Sequence, residues 1–201
     1  EIENLLSHRQ NDNANSSFNP ESLTKYAADY IYRNYALTHL LSSEQAKSHI
    51  NGSLYVHDLN YFPTRLNCIS HDPRFFFKKG LAVDGDSTQT IYAKPPKSIS
   101  AVINWLGQIM GTGQCQFGGA QGLTMVNMFL APFTKDLTDE QLKQAIQSFI
   151  FNLGLSYVSR GGEVVFSNLN VELCGVPPFM EDEPAIGIEG KEVGVYGDFK
   201  E

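Results

Sequence analysis

The first quarter of the chain has apolar residues at the spacing of amphipathic helices. Asn19-Pro20 is typical of a helix start, because Asn caps the first turn and Pro fits its first position. A Ser-x-x-Gln pattern at Ser42 opens a second helix, and Asn51-Gly52 ends it. The pattern predicts helices over residues 19–41 and 42–51. The apolar positions of the first are Leu23, Tyr26, Ala27, Tyr30, Ile31, Tyr35 and Leu37.

The rest of the chain alternates between short β-like runs, turn-rich stretches and longer helical patterns. A short strand is predicted over residues 53–57. A loop is predicted over residues 58–80, because Pro63 and Pro73 interrupt any regular element there. Helices are predicted over residues 97–110 and 138–157. A flexible loop with five glycines is predicted over residues 111–122, followed by a strand or buried helix over 123–133. A further strand is predicted over 163–173. The tail over 175–201 is rich in Pro, Gly and Glu and shows no sign of a domain end.

Composition then narrows the class of protein. Of the 201 residues, 42% are apolar and 18% are charged, a balance that excludes a mostly disordered chain. The net charge of -7, without clustered Lys and Arg, argues against a general nucleic-acid binder but leaves room for a small phosphorylated ligand. The sequence has neither a signal peptide nor a long apolar run, and its three scattered cysteines make a poor disulfide framework. We expect a cytoplasmic protein that binds neither nucleic acid nor membrane.

The densest candidate chemistry lies in residues 53–72, with two His-Asp pairs, at His57 and His71, around Cys68. A lone cytosolic Cys is most often a small buried hydrophobe, but a thiol here could also donate hydrogen or act as a nucleophile. Cys68-x-x-His71 also has a plausible zinc spacing, with His57 or Asp58 as a third ligand, although no second close pair exists. His57 could equally satisfy loop backbone groups.

Two Gly-rich stretches have both a structural and a functional interpretation. Residues 118–122 either make a tight turn or let the backbone approach a phosphate or base. Arg160, at the Gly-Gly turn of residues 159–162, is either solvated or in contact with an anionic ligand. Cys115 and Cys174 are predicted to be packing residues.

Taken together and in this order, four stretches resemble the catalytic subunit of anaerobic (class III) ribonucleoside-triphosphate reductases, which are glycyl-radical enzymes. They are NDNAN at 11–15, GSLYVHDLNY at 52–61 with LNCISHD at 66–72, GGAQGLTMVNMFLAPF at 118–133, and SRGGEVVFSNLNVEL at 159–173. The resemblance spans roughly residues 10–175, and it is the ordered set that is specific.

The resemblance implies an α/β fold, namely the first half of a ten-stranded α/β barrel preceded by helices. Residues 1–52 would be an N-terminal helical segment, and residues 53–201 would be the first half-barrel of the catalytic domain. Together they would form one incomplete domain.

The resemblance also assigns roles. In the family a thiyl radical removes the ribose 3′ hydrogen, the 2′ hydroxyl leaves as water, and a cysteine near the first strand supplies hydrogen. That cysteine would be Cys68, with no metal involved. The helix at 97–110 would pack near a dimer interface that binds a nucleotide effector. The residues implied to line the substrate site are His57, Asn67, Ser159, Arg160, Gly161, Gly162 and Glu163.

The same resemblance implies partners. The sequence contains no ATP-cone, no finger-loop cysteine and no glycyl-radical motif. We therefore expect a split-gene product or truncated piece that needs its C-terminal remainder, which would carry a glycyl radical generated by an S-adenosylmethionine/iron–sulfur activase. The other expected partners are a second copy of the chain, a ribonucleoside triphosphate substrate and a dNTP or ATP effector. The alternatives are a non-catalytic nucleotide-binding and dimerisation module, or another glycyl-radical enzyme.

Overall fold

A computed structural model describes residue 3 and residues 19–157 and 162–199 of the protein. The predicted N-terminal helices are present. Helix α1 (Pro20–Tyr35) continues into a π-helical turn (Ala36–Leu40), and helix α2 (Ser43–Ile50) follows. Both starts are fixed by local hydrogen bonds. The Asn19 side chain accepts from Ser22 N at 2.9 Å, and the Ser42 side chain accepts from Gln45 N at 3.2 Å.

A three-stranded parallel sheet organises the centre of the chain. Its strands are β1 (Ile69–His71), β2 (Gln121–Leu123) and β3 (Ser167–Leu169), in the order β1-β2-β3. Helices α3 (Arg74–Lys79) and α4 (Ile99–Gln116) lie between β1 and β2, and helices α5 (Val126–Thr134) and α6 (Asp139–Leu155) lie between β2 and β3. Helical crossovers between parallel strands define an α/β architecture, which confirms that part of the predicted fold class.

The core lies around α4. Its apolar side chains are almost entirely buried, including Val102, Leu106 and Met110. Helix α6 packs closely against it. A Cβ added at Gly107 would lie 2.5 Å from Asn152 Nδ2, so only glycine allows this approach. The tail adds a further layer to the core, with short 3-10 turns and an antiparallel pair of strands, β4 (Pro184–Ile186) and β5 (Glu192–Val195). The 3-10 turns are Pro178–Met180, Ile188–Gly190 and Tyr196–Phe199.

Several predictions of local structure were wrong. Residues 53–57 form bends and turns rather than a strand, with Tyr55 75% exposed. The first strand instead lies within residues 58–80, which were predicted to be loop and also contain α3. A strand needs a partner, and the backbone of residues 66–71 has one in residues 117–124.

Two other predictions also need correction. Helix α4 runs six residues past its predicted end, so residues 111–116 of the expected flexible loop are helical. Cys115 and Cys174 are exposed and are therefore not packing residues. The alternative left open for residues 123–133 is resolved as the end of β2 followed by α5. Within the described ranges, no helix is long and apolar enough to cross a membrane.

Candidate active site

Cys68 lies at the start of β1, where the backbone pairs with residues 117–120. Gly118 N donates to Leu66 O at 2.7 Å, and Gly119 N donates to Asn67 O at 3.2 Å. Ile69 N then donates to Ala120 O at 3.1 Å, which continues the ladder into β1 and β2. The backbone on both sides of Cys68 is therefore held by the neighbouring segment.

The absence of a side chain at Gly119 leaves room for the thiol. A Cβ at this position would lie closer than 3.0 Å to both Cys68 Sγ and Asn67 Oδ1. The thiol is exposed, and its Sγ lies 3.7 Å from Asn67 Oδ1, to which the S–H donates. The structure thus brings together two predicted site residues, Cys68 and Asn67, against a Gly-rich turn.

The two faces of the sheet differ in character. Side chains alternate along a strand, so Cys68 and Ser70 lie on one face while Ile69 and His71 lie on the other. Ser70 is in register with Gly122 and Asn168, and both Ser70 and Asn168 are exposed. Ser70 Oγ is 2.7 Å from Thr124 Oγ1. The Cys68 face therefore presents a thiol, two hydroxyls and an amide.

A buried polar pair lies behind the sheet. His71 Nε2 is 2.9 Å from Oε1 of Gln121, a side chain that is completely buried and whose Nε2 has no hydrogen-bond partner. Gly113 of α4 packs directly against this pair, which leaves no space for a side chain at position 113. Sequence reasoning missed Gln121, because no local signal separates a buried glutamine from an exposed one.

The positions of Cys68 and His71 argue against a zinc site formed by these two residues. Because Cys68 and His71 lie on opposite faces, their spacing in sequence does not bring their side chains to one point. His71 uses its Nε2 in the contact with Gln121. In the part of the chain that the structure describes, no group of three or more His, Cys, Asp and Glu side chains could hold a metal ion.

The other predicted substrate-binding residues, His57 and residues 159–163, come from two separate segments of the chain. His57 is largely exposed, and its Nδ1 lies 2.9 Å from Asp58 Oδ2. Gly162 has a φ of 89° and lies against the Asn19 side chain at the start of α1. Glu163 is buried, with 6% of its surface exposed. Ser159, Arg160 and Gly161 lie outside the described residues.

A family model for anaerobic ribonucleoside-triphosphate reductase matches residues 12–201 of the chain. The chain belongs to this reductase family. The match covers all four motifs that carried the resemblance except the first residue of NDNAN. In the comparison with curated proteins, nothing matches the sequence.

Solved structures of anaerobic ribonucleotide reductase from Thermotoga maritima share this fold. The complex with dATP and CTP has a TM-score of 0.58 at 20% identity, over 74% of this chain and 26% of that one. The structure with MES in the active site has a TM-score of 0.59 at 19% identity, over 75% and 28%. The present chain thus spans about a quarter of the length of these reductases.

Gly119 gives a direct test of how the thiol is positioned. In this reductase chain, Gly119→Ala should displace the side chains of Cys68 and Asn67. It should lower stability by no more than about 1 kcal/mol, the low end of the usual cost of overpacking, because both side chains are exposed and can turn away. The rate at which Cys68 is alkylated, followed by peptide mass spectrometry, should change with it. Gly154→Ala on α6 is the control, because its Cβ would meet nothing within 4 Å and should be tolerated. Equal alkylation rates in wild type and Gly119→Ala would show that the glycine does not position the thiol.

Proposed function

We propose that the chain supplies the Cys68 part of the active site of an anaerobic ribonucleotide reductase, which converts ribonucleoside triphosphates to deoxyribonucleoside triphosphates. The observation that carries the proposal is the exposed thiol held against Gly119 at the end of a parallel sheet, in a chain of this family. Cys68 lies just before β1, where hydrogen bonds to residues 118–120 hold the backbone on both sides of it.

The thiol suits the chemistry. In ribonucleotide reduction the 3′ hydrogen is first removed by a radical that the remainder of the reductase would supply. Cys68 would then give the hydrogen atom of its S–H to the ribose carbon radical and would itself become a thiyl radical, while the proton that turns the departing 2′ hydroxyl into water would come from another group of the complete site. Asn67, whose amide oxygen accepts from the thiol, would keep the S–H directed while the site is empty. Replacement of the 2′ hydroxyl by hydrogen is a two-electron reduction, and the hydrogen atom of Cys68 supplies one electron. An external reductant must therefore supply the second electron and restore the thiol in every turnover.

The Cys68 face of the sheet would be the substrate side. Asn168 and Ser70 project from it, and both are exposed. The opposite face is covered, with Leu123 and Val165 buried against the helices. This asymmetry supports the proposal that the three parallel strands are part of a barrel whose interior surface is the Cys68 face, with residues 1–52 as a helical segment outside it. The C-terminal remainder of the reductase would complete the barrel and carry the glycyl radical.

Nucleotides are the expected ligands. One relative is a complex with dATP and CTP, and another has dATP bound in its specificity site. We therefore propose a ribonucleoside triphosphate as substrate and a dNTP or ATP as effector. The assignment of His57, Gly162 and Glu163 to the substrate site stays a prediction. A dimer interface on α4 also stays a prediction. Such an interface would have to use the exposed Asn104 and Gln108 of this helix, because the apolar side chains of α4 are buried within the chain.

Titration with nucleotides tests the proposal. The chain, reconstituted with the remainder of the reductase and its activase, should bind ribonucleoside triphosphates saturably and form deoxynucleotides without oxygen. Saturable binding without reduction would instead indicate a non-catalytic nucleotide-binding and dimerisation module. No saturable binding would indicate a glycyl-radical enzyme that acts on another substrate.

A further inference from the structure

Arg65 carries a partly buried positive charge that is only partly compensated. Its guanidinium carbon lies 4.9 Å from the centroid of the Tyr61 ring, and its Nη1 is buried without a hydrogen-bond partner. Arg74 shows the usual arrangement, with its guanidinium bound to Asp72 and close to Glu183. An unpaired N–H of a buried cation is costly, so a group that supplies an acceptor there is strongly favoured.

The charged neighbours of Arg65 do not neutralise it. Lys25 Nζ lies 5.3 Å from the centroid of the same Tyr61 ring and forms an ion pair with Asp29 at 2.5 Å. Burial lowers the pKa of Lys25, but its hydrogen bond and ion pair with Asp29, together with its contact with Tyr61, outweigh this and leave the pKa raised. Lys25 is therefore charged at neutral pH. The four side chains, named here the Tyr61 cluster (Lys25, Asp29, Tyr61 and Arg65), hold two positive charges against one negative charge.

The Tyr61 cluster lies at the Cys68 end of the sheet. Arg65 is three residues before Cys68, and the intervening Leu66 is bridged to Phe117. The Tyr61 ring packs against Gly118, the residue before the glycine that contacts the thiol. The cation and the thiol are thus held by the same short segment and the same Gly-rich turn.

We propose that Arg65 binds an oxyanion of a ligand at this end of the sheet, either a phosphate group of a nucleotide or a small free carboxylate. Phosphate and carboxylate groups both present pairs of oxygens that match the two outer nitrogens of a guanidinium. This match is the reason that arginine is favoured for binding such groups. Arg65 as a whole is only partly buried, so an anion that approaches from solvent would meet the exposed part of the side chain. The placement beside Cys68 rests on the proposed function, whereas the anion site itself does not.

The test compares Arg65→Gln with Arg33→Gln in the whole protein. Arg33 is exposed in the last turn of α1, so the control removes the same charge from the surface. Tripolyphosphate and acetate are titrated at constant ionic strength, with binding followed by calorimetry and by the melting temperature. Arg65→Gln should weaken anion binding about 10- to 100-fold, the loss expected for hydrogen bonds that involve a charged group. Arg33→Gln should bind as wild type does.

The outcomes separate the possibilities. Arg65-dependent binding that favours tripolyphosphate identifies nucleotide phosphates, and binding that favours acetate identifies a carboxylate ligand. Equal binding by wild type and Arg65→Gln, or an equal loss in Arg33→Gln, would overturn the proposal. If Arg65→Gln does not fold, Arg65→Lys keeps the charge without the forked geometry and should still lose part of the affinity. Because binding is measured without turnover, an inactive reductase does not affect the result.

Discussion

Cys68→Ser should abolish deoxynucleotide formation in the reconstituted reductase, with a fall of at least about 10²- to 10⁴-fold, the range lost when a proton-transferring group is removed. The O–H bond of serine is much stronger than the S–H bond of cysteine, so the hydroxyl cannot give a hydrogen atom to a carbon radical. Folding should be unaffected, because Cys68 is exposed and surface substitutions usually change stability by less than about 0.5 kcal/mol. Product formation by chromatography and the melting temperature are the two measurements.

The chain offers matched controls for this experiment. Cys115 and Cys174 are also exposed thiols, and Cys115 Sγ lies 3.7 Å from Gly111 O within its own helix. Cys115→Ser and Cys174→Ser should retain nearly full activity. Near-normal turnover by Cys68→Ser would remove Cys68 from the mechanism. Equal losses in all three variants would point to a general effect of thiol replacement.

Tyr196→Ala should produce the largest loss of stability, about 3–5 kcal/mol, as for other large buried aromatic side chains. Tyr196 is completely buried, and its ring lies 5.4 Å from that of Phe129. Its removal would detach the C-terminal turn from the core. Urea unfolding followed by circular dichroism measures the change. Tyr196→Phe is the control and should cost less than about 1 kcal/mol, because the hydroxyl only accepts a long hydrogen bond of 3.5 Å from Ile186 N.

The same residue predicts a pH dependence. Burial raises the pKa of Tyr196 to about 12, since the charged phenolate is disfavoured in the core. Its contribution to stability is therefore complete below pH 10 and is lost as the pH rises toward 12. Subtracting the unfolding free energies of Tyr196→Phe from those of wild type isolates this effect from other groups. An unchanged difference between pH 8 and 12 would contradict it.

The features that were predicted correctly depend on residues that lie close together in the sequence. The helix start at Asn19 was predicted from its Asn-Pro pair, and those at Ser42 and Thr138 from Ser/Thr-x-x-Gln patterns, because each of these signals is complete within four residues. Cys68 was singled out because chemical groups are dense around it. Its family followed from four motifs in order, and the family model confirmed it.

The features that were not predicted depend on contacts between residues that are far apart in the sequence. The β-like run at 53–57 has no strand to pair with, whereas Ile69–His71 pairs with a segment about fifty residues away. The glycines at 111 and 113 favoured a loop, but close packing of Gly113 against Gln121 makes a helix possible there. Likewise, Tyr196 becomes a core residue only because the tail folds back onto Phe129.

The pairing of β1 with β2 also has a consequence for folding. Ser70 and Thr124 are 54 positions apart, and His71 and Gln121 are 50 apart, so the chain must close a long loop before Cys68 acquires its neighbours. During synthesis at about 5–20 residues per second, the thiol would leave the ribosome several seconds before residues 119–124. The nascent chain therefore passes through an interval in which the cysteine is present without its site. Oxidants or alkylating agents present in that interval would reach the thiol before Gly119 lies against it.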